Sequence, residues 1–107
     1  MNSKLIEYLN KSRNSNKDNI KAILFSEDTF TYYYLFDINM EKKKCVMMCE
    51  PINASRPYCE LYSVYLEEIQ YYIGPYQIVD GQSLGKPYKQ VLKRLQKIEE
   101  RLLTMSY

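Results

Sequence analysis

The chain of 107 residues is the size of one domain and long enough to bury roughly two-thirds of its unfolded surface, so it needs no disulfide or metal staple. With 46% hydrophobic and 26% charged residues it is not a disordered chain outside its ends, and no apolar run approaches the ~20 residues of a membrane-spanning helix. The net charge of +2 conceals a segregation. Residues 1–21 carry five basic groups against two acids, residues 51–80 only Arg56 against Glu60, Glu67, Glu68 and Asp80, and residues 81–107 six basic groups against two acids. Basic ends around an acidic middle can steer a charged partner.

Taken in chain order, Leu5, Ile6, Tyr8 and Leu9 space apolar groups for a short helix from residue 3 to about 11, with Ser3 as its cap. The polar stretch SRNSNKDN, 12–19, predicts a loop. Three strand-like segments follow at 20–26, 30–38 and 44–50. The short polar links at 27–28 and 39–43 imply an antiparallel meander. In the middle segment, FTYYYLFDI, alternation puts Phe30, Tyr32, Tyr34, Phe36 and Ile38 on a core face. It leaves Tyr33 on the opposite face with Thr31, Leu35 and Asp37, as a candidate partner-binding ring.

Ser55-Arg56-Pro57 predicts a helix start. Tyr58, Leu61, Tyr62, Tyr65, Leu66, Ile69 and Ile73 then recur at helical steps as far as a stop at Gly74-Pro75. On the other side of this predicted helix Glu67, Glu68 and Tyr71 form an acidic, tyrosine-bearing candidate surface. Residues 76–80 predict a short fourth strand, and residues 87–105 a final helix. Tyr88, Val91, Leu95, Ile98, Leu102 and Met105 alternate steps of three and four along that helix. Such a seam docks on a sheet or forms a homodimer, and two and a half heptads with Leu92 widening the stripe favour docking. Lys86, Lys89, Lys93 and Lys97, with Arg94 beside them, line another face as a candidate site for phosphate or an acidic protein. The order α-β-β-β-α-β-α predicts an α+β fold, with a three- to four-stranded antiparallel sheet covered by helices on one face. The helix, three-strand meander and helix resemble double-stranded RNA-binding domains in topology, although the second helix here is acidic where theirs starts basic.

Chemistry is sparse. There is no histidine, and the three glycines form no phosphate-binding loop. The cysteines, Cys45, Cys49 and Cys59, are odd in number and follow no apolar leader, which predicts buried inert thiols in a cytoplasmic protein. Too few soft ligands exist for a four-ligand zinc site. The sequence therefore predicts no enzyme, cofactor or metal. It points to a protein-binding module acting by occlusion of its partner. The alternative is a nucleic-acid binder using the basic face of the last helix. Lys, Asn, Ile and Tyr exceed a third of the chain, a bias that associates with phage, viral or mobile-element inhibitors and accessory proteins.

Overall fold

The computed structural model describes residues 3–11, 16–52 and 60–105, save the side chains of residues 99 and 102–105. Its elements are α1 (Ser3–Asn10), β1 (Ala22–Ser26), β2 (Thr31–Asn39), β3 (Lys44–Pro51), β4 (Leu61–Tyr65), a 3-10 turn (Leu66–Glu68), α2 (Ile69–Ile73), β5 (Tyr76–Val79) and α3 (Tyr88–Met105). The five strands form one antiparallel sheet in the order β4-β3-β2-β1-β5. The class is α+β as the sequence predicts, with one strand more than expected.

That strand comes from the first half of the predicted second helix. Leu61-Tyr62-Ser63-Val64-Tyr65 satisfies a helical step at 61, 62 and 65, but it is also rich in strand-favouring Tyr and Val. The free edge of β3 decides between them: Lys44 to Met48 offer a ladder on which Tyr65 to Leu61 pair residue for residue. Helical geometry begins only at Leu66. From there the predicted face holds, because Leu66, Ile69 and Ile73 are all buried. The predicted cap and first turn at 55–58 lie outside the described residues. With this segment a strand, the topological likeness to double-stranded RNA-binding domains lapses.

The helices cover both faces of the sheet instead of one. Leu5 and Leu9 of α1 and Ile69 and Ile73 of α2 pack with Ala22, Leu24, Tyr33, Leu35, Cys45, Met47 and Cys49. On the opposite face Val91 and Leu95 of α3 pack with Ile20, Ile23, Tyr34, Phe36 and Met48, and Tyr88 stacks on Phe36 at 4.2 Å between ring centroids. Central strands buried on both sides read as continuous apolar runs, which is why AILF and YYYLF show so little alternation.

Two residues at positive φ reset the predicted phase of β2. Phe30 (φ 51°) belongs to the preceding turn and is 43% exposed, its ring edge-on to Phe25. Asp37 (φ 51°) forms a bulge that shifts the register from Phe36↔Val46 to Asn39↔Lys44. Ile38 is thereby turned to the α1–α2 face, where it packs against that cluster.

Residues 16–20, expected to be mostly loop, position the start of α3. Tyr88 N–H donates to the Asp18 carbonyl at 2.7 Å, Ile20 N–H to Lys86 at 2.8 Å, and Gly85 N–H to Ile20 at 2.9 Å. Residues 12–15 of that predicted loop lie outside the described residues. No helix among the described residues is long and apolar enough to cross a membrane.

Candidate functional site

A cleft of about 660 Å³ lies between the edge strand β4 and α2. Tyr62, Val64, Tyr65, Glu68 and Tyr72 line its walls, and Met47, Cys49 and Ile73 its floor. All four residues from Tyr62 to Tyr65 reach it, although alternate side chains of a strand point to opposite faces, so main chain of β4 forms part of the wall. Around it stands an aromatic rim. Tyr62 is 39% exposed, Tyr65 42% and Tyr72 61%, and Tyr71 meets Tyr72 edge-on at 5.4 Å. The Tyr62 hydroxyl donates to the Glu60 carboxylate; burial first, then this bond, raises its pKa above the usual tyrosine range. The Lys44 ammonium sits 4.7 Å from the centre of the Tyr65 ring.

Of the residues singled out in the sequence, Tyr33 is placed differently from expectation. Its ring is buried against the α1–α2 cluster and contributes to the cleft floor, and its hydroxyl shares a 2.9 Å hydrogen bond with Thr29 Oγ1. It is a core ring, since the face opposite Tyr34 is also covered by helices. Glu67, Glu68 and Tyr71 are exposed as expected, and only Glu68 of the three lines the cleft. Leu61, Tyr62, Tyr65 and Tyr72 were not legible as surface, because the helical reading assigned the first three to a buried stripe.

On α3 the expected seam is consumed by the sheet. Val91 and Leu95 are buried and Tyr88 half-buried in the second cluster, so this part cannot serve a homodimer. Ile98 is 43% exposed, and the side chains of Leu102 and Met105 lie outside the described residues. Lys86, Lys89, Lys93 and Lys97 are exposed. Lys93, Arg94, Lys97 and Arg101 gather with Gln90 around Ile98 in a shallow groove that excludes Lys86 and Lys89. Arg94 also reaches inward. Its Nη2 donates to Ser83 Oγ at 3.1 Å and lies 3.5 Å from the Tyr34 hydroxyl, which in turn donates to Glu50. Burial, then the Glu50 carboxylate, raises the Tyr34 pKa, keeping it a donor. This network ties α3 and the 80–85 loop to the sheet, and Arg94 is as much a strut as a surface cation.

Comparison with known protein families, curated proteins and solved structures finds no match.

Cys45 and Cys49 are buried on the α1–α2 face as thiols outside any disulfide, while Cys59 lies outside the described residues. Burial, then the Asp37 charge, pushes the Cys45 thiol up to about 12, suppressing its thiolate at pH 8 by on the order of a thousandfold. Iodoacetamide followed by mass spectrometry is therefore expected to modify Cys45 only on unfolding. Fast modification of this thiol in the folded protein would contradict its placement. Among the described residues no group of three or more Cys, Asp or Glu is gathered to hold a metal ion.

Proposed function

We propose that the protein is a non-catalytic protein-binding module that works by occluding a partner protein, with the cleft between β4 and α2 and its aromatic rim as the contact surface. The observation that carries this reading is the contiguity of Tyr62, Tyr65 and Tyr72, each more than a third exposed, around one concavity. Tyrosine supplies large, rigid contact area with little rotamer entropy to lose, and buried aromatic anchors dominate interface energetics. Immobilised protein is expected to retain a protein partner stoichiometrically from lysate of cells that express it. A Tyr65→Ser, Tyr72→Ser double variant should lose that partner. Absence of any stoichiometric partner, or undiminished capture by the double variant, counts against the reading.

A second reading has its own support in the flank of α3, where Lys93, Arg94, Lys97 and Arg101 gather around a groove with no acidic residue in its lining among the described residues. A polyanion held there by three or four phosphate contacts would lose affinity about 40- to 150-fold between 50 and 200 mM salt. It would bind more weakly still to a Lys89, Lys93, Lys97 triple alanine variant. Salt-insensitive binding, or none at low salt, removes nucleic acid as the partner.

A further inference from the structure

The main chain of β4 specifies what kind of partner segment suits the cleft. Leu66 N–H donates to the Lys43 carbonyl at 2.8 Å, and Cys49 N–H to the Glu60 carbonyl at 3.2 Å. Between these rungs, antiparallel alternation turns the main-chain groups of Tyr62 and Val64 toward β3 and those of Leu61, Ser63 and Tyr65 away from it. β4 ends the sheet, and among the described residues nothing pairs with its outer side. It also lacks the devices that blunt an exposed edge: it has no lysine, no proline and no break in register.

The side chains add a second constraint. Tyr62 and Val64 pair with Met47 and Cys45 on the cleft face, where Glu68 lies, while Leu61 and Tyr65 pair with Met48 and Lys44 on the other face. Among the described residues Glu68 is the one charged group lining the cleft, with Glu60 and Glu67 flanking β4; Lys44, over the Tyr65 ring, and Lys43, whose carbonyl accepts from Leu66 N–H, lie at the far end of the strand. A second copy of the chain is a poor occupant. Antiparallel self-pairing centred on Ser63 sets Glu60 of one copy opposite Leu66 of the other, next to the Glu67 and Glu68 of its 3-10 turn, so groups of like charge meet at both ends of the pair.

We propose that β4 accepts an extended segment of a partner protein as a sixth strand, and that this segment alternates basic side chains over the cleft with apolar side chains against Leu61 and Tyr65. The proposal rests on the protein-binding reading and deepens it. Main-chain hydrogen bonds to Leu61, Ser63 and Tyr65 supply the docking, and the alternate side chains supply the selectivity. A lysine or arginine reaching over the cleft lays its aliphatic stem along Tyr72 and brings its charge to Glu68.

The test is selection of a phage-displayed library of random nine-residue peptides on the immobilised full chain. Enriched sequences are expected to alternate Lys or Arg with apolar residues. A synthetic peptide of that sequence should bind Ser63→Pro at least about tenfold more weakly, since the variant removes one outward N–H and blocks close approach. Thermal unfolding checks that the variant keeps its fold. Independently of that variant, N-methylating alternate peptide residues should abolish binding in one parity and spare it in the other, because only one edge of the added strand faces β4. Glu68→Lys should weaken the basic peptide about tenfold. No enrichment, enrichment without an excess of basic residues, equal effects of the two N-methylation parities, or unchanged binding to a folded Ser63→Pro would overturn the proposal. So would a concentration-dependent dimer that Ser63→Pro dissolves, which would make the occupant a second copy. If Ser63→Pro still captures the lysate partner in full, strand addition fails while the protein-binding reading stands. If wild-type protein captures none, the broader reading fails.

Discussion

Replacing Leu35 by alanine lowers the free energy of unfolding by about 3–4 kcal/mol. Leu35 lies in the middle of β2 opposite Ala22 and Met47, fully buried, in the cluster formed with Leu5, Leu9, Ile69 and Ile73. Neighbouring strands fix its backbone on both sides and helices close the face above it, so the void left by alanine has little freedom to collapse. Ile98→Ala, on a side chain 43% exposed, should stay within about 0.5–1 kcal/mol. Urea unfolding of the two variants with a common m-value is the measurement. Similar losses in both would contradict the two-faced core, because Leu35 would then not be covered.

Gly74→Ala is expected to destabilise by about 2–3 kcal/mol, for a backbone reason more than a packing one. Gly74 ends α2 with its N–H on the Gln70 carbonyl at 2.9 Å, at φ 74° and ψ −167°. That combination is open essentially to glycine alone. It turns the chain from α2, whose Ile73 carbonyl accepts the buried Ser26 hydroxyl, into β5. An alanine Cβ would also stand 2.7 Å from Asp28 Oδ2, but that atom is the end of a side chain able to swing away. In an Asp28→Ala background most of the loss should therefore persist. Full rescue would assign the effect to the contact, and a loss below about 0.5 kcal/mol would contradict the backbone assignment.

The parts of the fold legible in the sequence are those where one period governs a long segment. Val91 and Leu95 set the docked face of α3, Leu5 and Leu9 that of α1, and Gly74 marks the end of α2. Residues 61–65 misled because five residues carry both a helical step and a strand alternation. Only the open edge of β3, a tertiary feature, selects the strand. The bulge at Asp37 was invisible for a related reason: positive φ without glycine leaves no mark in composition. Tyr33 was misplaced by one premise, a single layer of helices, although the apolar Leu35 two residues away already argued for cover on its face.

The candidate site divides in the same way. Exposure of Glu67, Glu68 and Tyr71 was readable from charge and polarity. The importance of Leu61, Tyr62 and Tyr65 depends on β4 being the last strand of the sheet, and strand order follows from pairing that no local pattern encodes. The basic residues of α3 were correctly seen as surface, but the inward reach of Arg94 to Ser83 joins positions far apart in sequence.

Amide hydrogen exchange resolved along β4 tests the central claim most directly. In the free protein the Tyr62 and Val64 amides should be protected by β3, while those of Leu61, Ser63 and Tyr65 exchange at rates near those of an unfolded chain. Adding a selected basic, alternating peptide should slow exchange at Leu61, Ser63 and Tyr65 and leave the other two unchanged. Protection of all five in the free protein, or saturating peptide without new protection at Ser63, would contradict the assignment of β4 as an open edge that receives a strand.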